Sequence, residues 1–482
     1  MERAALLAVD REALVEVLLR EREQHRAVVA ALEAQVAALQ AQVADLRARL
    51  GQDSSNSSRP PSSDPPGTPR PEAAPGTRRP GGQPGHAGHH RALLPPERVD
   101  QVITLRPEWC ADCGAPLAAE AGPDDPAEER HQVVELPALA VVAAEYRLAA
   151  RRCGACGRVT RAGAPAEVGA SSFGPRLQAV VALLSGRYRV SRREVVQLLA
   201  DLWGAELSLG SVAALEQATS AALGPVVAEA RAAAQRERVA NLDETGWREG
   251  RRRAWLWTMV TATLTVFQIA PRRAGEVAKA LLGPAWRGIV GSDRFSGYAW
   301  LPVCWRAVCW AHLKRDFQAL VDRGGAAAPI GTAALAVERE VFELWHRFKR
   351  GQLDRRTLQR EIEPHQTALW RVLEAGTNGQ ETKAAGLCWK LLDLWPALWT
   401  FVRVEGVEPT NNAAEQALRP AVLWRKGSFG THTAAGSRFA ERLLTVAASC
   451  RQQQRNLLEF LVQANQAARL DAMPPSLVIA AD

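Results

Sequence analysis

The first fifty residues carry apolar positions at helical spacing. They contain no Gly or Pro until Gly51, and Leu32, Val36, Leu39, Val43, Leu46 and Leu50 are spaced four, three, four, three, four. That is an a/d seam nearly three heptads long. It predicts a zipper to a second copy; the alternative is a helix lying on its own domain. Arg22 and His25 interrupt the seam upstream. Further on, residues 131–136 and 139–148 read as strands. Residues 171–236 return to helical spacing. Ser191 and Glu194 form a capping box before Val195, Val196, Leu198 and Leu199. Trp203-Gly204 ends that helix, and Ser208 to Ser211 opens another over Val212 to Leu223. A strand over Val239 to Leu242 comes next, then a β-branched and aromatic run from Ala254 to Ala270 that reads as two antiparallel strands meeting near Thr261 to Thr263. Ala274 to Leu282 is helical, and Gly288 to Gly291 is a short strand. From 318 to 405 the pattern is helical: Val337 to Phe348, Leu353 to Ile362, Thr367 to Leu373, and a Trp-rich stretch from Leu387 to Phe401. Thr410 to Pro420 reads as a capped helix start, and Arg438 to Ala464 as a long amphipathic helix.

These patterns predict a multidomain α+β chain. The segments are a coiled-coil helix (1–50), a Pro/Ser/Gly linker (51–91), a Cys-rich ribbon (92–170), a helical region (171–236), the first part of an α/β core (237–317), an all-helical insertion (318–405), the second part of that core (406–470) and a tail (471–482). The chain has 482 residues, more than one compact domain usually holds, and 47% apolar residues are ample for several cores. The linker cannot bury a core. Its His86, His89 and His90 offer metal ligands or a plain solvated tether, and Arg59, Arg70, Arg78 and Arg79 offer loose phosphate contacts.

Charge narrows the partner. The formal net charge is +8 and the pI about 9.3, a balance that favours a polyanion, nucleic acid first. Only six of the 60 basic residues are Lys, which reflects base composition as readily as function. No charge-free apolar run of about 18 residues occurs, so no membrane span is expected. No signal-peptide core follows Met1. The expected compartment is a bacterial cytoplasm, at the nucleoid when bound to DNA, where thiols stay reduced.

In that setting Cys110-x-x-Cys113-Gly114 and Cys153-x-x-Cys156-Gly157 read as two zinc knuckles rather than disulfides. Four thiolates give the closed tetrahedral coordination of one structural Zn2+. The ribbon touches DNA through Arg147, Arg151, Arg152 and Arg158, or is a metal staple replacing a core. The helix-turn-helix pattern at 191–223 suits DNA binding or a plain connector. Its second helix carries Glu216 and Gln217 and no basic residue; Arg187, Arg189, Arg192 and Arg193 are the better phosphate candidates. Cys309 and His312 stand i, i+3 and share a helix face. They bind metal, position DNA, or pack locally. Trp345, Trp370, Trp389, Trp395 and Trp399 read as insertion core rather than a base-stacking platform.

Three acids organise the rest. Asp243 sits on or just past a strand, Asp293 directly after a second, and Glu415 on the capped helix. Two Mg2+ ions about 3.5–4 Å apart need anionic oxygen between and around them, and Mg2+ prefers carboxylates. Two strand-end acids and one helix acid are how an RNase H-like fold gathers such a pair. One acid alone is uninformative, since Asp after a strand commonly caps a turn. Lys314, Arg315, Arg419, Arg425 and Lys426 lie near these acids in sequence and suit a scissile strand, or a solvated charged face.

Asp243-Glu-Thr-Gly-Trp247, Ser292-Asp293 with Gly297-Tyr298, Cys309-x-x-His312-Leu-Lys-Arg315, and Asn411-Asn-Ala-Ala-Glu415 with Arg419-Pro420 and Arg425-Lys426 occur in this order. With the zipper, the linker ending Gly81-Gly-Gln-Pro-Gly-His86 and the double knuckle, the chain resembles a transposase of the insertion-sequence-66 family over nearly its whole length. The resemblance implies an RNase H-like domain whose Asp-Asp-Glu triad, Asp243, Asp293 and Glu415, holds two Mg2+ (or Mn2+) ions. It implies binding to terminal inverted repeats, 3′-end cleavage and strand transfer into target DNA. Zinc at Cys110, Cys113, Cys153 and Cys156 belongs to the same expectation. So do DNA contacts at Arg192, Arg193, His312, Lys314, Arg315, Arg419, Arg425 and Lys426, and homo-oligomers through the N-terminal helix. Accessory transposition proteins are candidate partners, and no membrane is. The alternatives are a structure-specific RNase H-like nuclease and a DNA-binding derivative without catalysis; retention of all three acids argues against the latter.

Overall fold

The computed structural model describes residues 10–53, 57, 64, 91–120, 122–123, 125–126, 129–168, 171–379 and 381–479. The linker histidines His86, His89 and His90, with Arg59, Arg70, Arg78 and Arg79, lie outside the described residues. The chain divides into two compact units: Met1–Arg70 with Glu145–Leu198 and Glu206–Asp482, and Pro71–Ala144 with Leu199–Ala205.

Helix α1 spans Arg11–Leu50. Its seam residues Leu32, Val36, Leu39, Val43, Leu46 and Leu50 are between 46% and 84% exposed among the described residues. By length and composition α1 is also apolar enough to cross a bilayer. One such helix near the N-terminus is weak evidence of a membrane span.

In the Pro71–Ala144 unit, Cys110 to Gly114 forms a tight turn: the Gly114 N–H donates to the Cys110 carbonyl at 3.0 Å. Gly114 has φ +69°, a conformation that favours glycine. In the other unit, Cys153 to Gly157 repeats the turn, with Gly157 N–H to Cys153 O at 2.9 Å and φ +72° at Gly157. Strands β1 (Ala150–Arg152) and β2 (Val159–Arg161) pair antiparallel around this second turn. The strands expected over 131–136 and 139–148 are absent: this stretch has no ladder. Its Val133, Val134, Leu136, Val141 and Val142 are exposed. The β-branched residues suited a strand, but among the described residues no neighbouring strand supplies the missing hydrogen bonds.

Helix α2 (Pro175–Ala182) runs into a five-residue π turn, Leu183–Arg187. The capping box opens α3 (Arg192–Trp203). Ser191 N–H donates to the Glu194 carboxylate at 3.0 Å, and Glu194 N–H to Ser191 Oγ at 3.3 Å. Ser208 Oγ caps α4 by accepting from Ser211 N–H at 3.0 Å. Helix α4 continues to Ala234 through Pro225, eleven residues past the expected end at Leu223.

A five-stranded sheet follows: β3 (Val239–Glu249), β4 (Arg252–Val260), β5 (Thr265–Ala270), β6 (Ile289–Ser292) and β7 (Arg306–Val308), in spatial order β5-β4-β3-β6-β7. The first three are antiparallel; β6 and β7 add parallel to β3. Helix α5 (Gly275–Leu282) makes the crossover from β5 to β6. Side chains alternate faces along β3, so Ala240 and Leu242 enter one core with Trp257 and Met259, while Trp247 enters a second with Leu256 and Phe267. Strand β7 was not anticipated. Three residues with a buried Arg306 carry no strand signature.

The β5 edge is closed by helix α13 (Ala434–Gln452). Glu441, Thr445 and Ser449, four apart on one helix face, accept the N–H groups of Ile269, Phe267 and Thr265 at 2.5, 3.0 and 3.1 Å. An open edge that would template pairing with another chain is thereby satisfied. Helix α14 (Leu457–Arg469) packs behind it.

Between β7 and the last core helices the chain is helical: α6 (Trp310–Arg323), α7 (Ala327–Lys349), α8 (Arg355–Thr377), α9 (Thr382–Asp393), α10 (Trp395–Leu398) and α11 (Thr400–Arg403). The expected helices over 353–362 and 367–373 are one helix, α8, continuous through Pro364. Trp345, Trp395 and Trp399 pack in this block's core with Trp310 and Phe401. Trp389 does not; it is 58% exposed. Trp370 is exposed but meets Trp395, ring centroids 5.1 Å apart.

Candidate active site

Strand pairing brings the elements that carry the first two acids side by side. In the β3–β6 ladder Val239, Ala240 and Asn241 face Ile289, Val290 and Gly291, a constant offset of 50. Asp243 lies two residues past this ladder on β3 and Asp293 directly follows β6, and the charge of Asp293 is felt at the Asp243 carboxyl. Gly291 makes the close approach possible: a Cβ there would stand 2.3 Å from Asn241 Oδ1. Asp293 is fixed in a local turn, its Oδ1 accepting from Phe295 N–H at 2.9 Å.

Glu415 arrives on α12 (Asn412–Ser428), in its first turn. Asn411, just before that helix, is buried and donates from Nδ2 to the Leu242 carbonyl at 2.7 Å, one residue before Asp243. Its own N–H donates to Cys309 Sγ at 3.1 Å, and Trp310 N–H donates to Pro409 O at 2.8 Å. Farther along α12, Arg425 Nη1 donates to Gly246 O at 2.6 Å and Thr245 Oγ1 at 3.1 Å. The helix is therefore tied to β3 on both sides of Asp243 in sequence.

Electrostatics registers the convergence. The Asp243 carboxyl is pushed up to about 8, first by burial, then by the negative charge of Glu244, with Asp293 and Glu415 adding to it. The donor set would suit a divalent cation: carboxylates within each other's field, one of them held protonated by burial and by its neighbours' charge.

A pH dependence follows. The folded-state value lies above the unfolded value of about 3.9, so this group's contribution to stability is complete below that pH and is lost as pH rises toward 8. Without added divalent salt, the melting temperature of the wild type is expected to fall relative to Asp243→Asn between pH 4 and 8. A constant difference across that range, in parallel thermal melts, would contradict the burial and crowding of Asp243.

Glu244 went unread in the sequence. Its buried carboxylate accepts from Tyr298 OH at 2.7 Å and Arg273 Nε at 2.7 Å, and Arg273 Nη2 lies 3.9 Å from Asp293 Oδ2. Arg273 also covers the Phe295 ring at 4.0 Å. The alternation of β3 was the available signal, since it turns Glu244 to the face opposite Asp243, where a buried acid needs a partner.

The expected DNA contacts divide into two groups. Arg192 is bonded to Glu216 at 2.5 Å, Lys314 lies 3.5 Å from Glu338, and Arg425 serves the backbone of β3. These three are engaged within the chain. Arg193, Arg419 and Lys426 are exposed, while His312 and Arg315 are half-buried near the acids. Arg419 joins Arg187, Arg189 and Arg451 around a groove of about 620 Å³ floored by Phe267, Leu443 and Leu444. The groove runs beside the face of α12 carrying Gln416. In the knuckles, the Cys110 and Cys153 thiols are lowered by backbone N–H groups, from Cys113 and Asp112 in one and from Cys156 and Ala155 in the other, which favours the thiolate that binds metal.

Comparison with known proteins bears on the chain as a whole. Residues 10–92 match a family of unknown function, DUF6444. An uncharacterized protein of Sinorhizobium fredii, y4hP, is 25% identical over 398 residues, covering 73% of this chain and 69% of its own. Residues 170–438, which hold the whole sheet and all three acids, match the transposase IS66 family, and the chain belongs to that family.

Proposed function

We propose that this chain is a DNA transposase that binds the terminal inverted repeats of its insertion sequence, cleaves at the 3′ ends and transfers them to target DNA. The observation that supports the reading is that the charges of Asp293 and Glu415 both act on the buried Asp243 carboxyl, where β3 pairs with β6 and Asn411, at the start of the Glu415 helix, is bonded to Leu242. The sheet order, three antiparallel strands followed by two parallel ones, supports assigning it to the RNase H-like class.

Asp243, Asp293 and Glu415 would hold two Mg2+ or Mn2+ ions, which when bound activate the attacking oxygen and stabilise the leaving oxygen of an in-line displacement. The chain's own part is positional. Asp243 gives its proton to solvent as the cluster is neutralised. Glu244 and Tyr298 keep Arg273 beside Asp293. Asn411 fixes the start of the helix that carries Glu415. Arg187, Arg189, Arg419 and Arg451 suit the phosphates of the bound strand, contacts that position the backbone and carry no sequence information. Arg193, Arg315, His312 and Lys426 extend that surface.

The remaining parts follow the same reading. Cys110, Cys113, Cys153 and Cys156 are zinc ligands, on the shape of each knuckle taken by itself. The exposed seam of α1 pairs with a second copy, and the protein works in a bacterial cytoplasm at the nucleoid, with accessory proteins as further partners. Purified full-length chain is expected to nick duplex DNA at the 3′ boundary of the element's end in Mg2+ and not in EDTA, read on a sequencing gel. Cleavage of branched DNA without inverted repeats, with the element end left intact, would favour a junction nuclease instead.

A further inference from the structure

Cys309, His312 and Glu415 meet where two helices begin. Cys309 is the N-cap of α6, and His312 lies in its first turn; Glu415 lies in the first turn of α12. One ligand-type atom from each lies within 4.8 Å of the other two. His312 Nδ1 and Glu415 Oε1 are 3.7 Å apart, and neither buried atom has a hydrogen-bond partner. Two such orphans side by side call for an explanation. The distance is too long for a hydrogen bond. Ligand atoms about 2.0–2.2 Å from a tetrahedral metal stand roughly 3.3–3.6 Å from each other, so the observed gap suits two ligands of one cation.

The donor types name the cation. A thiol, an imidazole and one carboxylate suit borderline-soft Zn2+, whereas an all-carboxylate set suits Mg2+. The imidazole binds in its neutral form, and Cys309 would release its thiol proton to solvent on binding. A carboxylate has two oxygens, so Glu415 can serve this site with one and the acid cluster with the other.

We propose that Cys309, His312 and Glu415 bind one zinc-class divalent cation, with a fourth position open, and that this cation holds the Glu415 carboxylate in place beside Asp243 and Asp293. Binding stands by itself; the positioning half rests on the transposase reading. Zinc content of the full-length chain, after loading and dialysis, is expected to be one equivalent lower in Cys309→Ser and in His312→Gln than in the wild type, and unchanged in Asp243→Asn. His312→Gln should also raise the Mg2+ concentration for half-maximal cleavage about tenfold or more.

Equal zinc content in wild type and in both folded variants overturns the site. Should Cys309→Ser fail to fold, His312→Gln decides alone, its side chain being 28% exposed. A lost zinc equivalent with unchanged Mg2+ dependence overturns the positioning half. Normal cleavage by Asp243→Asn would instead sink the acid-cluster reading and leave the zinc count standing.

Discussion

Asp243→Ala, Asp293→Ala and Glu415→Ala should each lower strand cleavage by about 10³-fold or more while leaving binding to element ends within a few-fold of the wild type. The magnitude rests on charge stabilisation of several kcal/mol by a bound metal pair, at about 1.36 kcal/mol per tenfold in rate. Binding is spared because the exposed cations sit elsewhere, on the groove of Arg187, Arg189, Arg419 and Arg451. Asp243→Asn is the most informative of the series. It removes a carboxyl crowded by Glu244, Asp293 and Glu415, so the metal-free fold should gain stability as cleavage is lost. Gel-shift, nicking and melting measurements on one preparation separate these effects. A variant that cleaves normally, or that loses binding and cleavage together, would refute the division of labour.

Trp310→Ala is expected to destabilise the fold by about 3–5 kcal/mol. The Trp310 side chain is fully buried, its Nε1 donates to Leu398 O at 2.8 Å, and its ring meets Trp399 and Phe401 edge-on at 5.0 and 6.3 Å. Truncation leaves a large cavity at the joint between β7 and the helical block, and a carbonyl without its donor. Trp389→Ala, at a position 58% exposed, is expected to stay within about 0.5 kcal/mol of the wild type. Chemical denaturation of both variants checks the contrast. A mild Trp310→Ala would mean that the helical block is not packed on the sheet as described.

That contrast marks what could be read without coordinates. The tryptophans of the insertion look alike in sequence, and periodicity could not say that Trp399 is buried while Trp389 faces solvent. Local signals read well where one short stretch supplies both partners of an interaction. The Ser191–Glu194 box, the turn near Thr261 to Thr263 and the left-handed glycines at 114 and 157 are of this kind. The strands expected over 131–148 failed because a strand needs a neighbour, and composition does not supply one. Strand β7 was missed for the converse reason: its neighbour β6 makes it a strand, although Arg306-Ala-Val308 has little β character.

The sequence by itself determined the acids Asp243, Asp293 and Glu415, their order, and the elements that carry them, because helix caps and strand alternation are set by residues a few positions apart. The tertiary structure decided what those acids face. The 50-residue offset of β3 on β6, the Asn411 bond to Leu242, the Glu244–Tyr298–Arg273 network and the meeting of Cys309, His312 and Glu415 all join residues that are dozens to more than a hundred positions apart. Such contacts are fixed by the packing of whole elements, which no local pattern encodes.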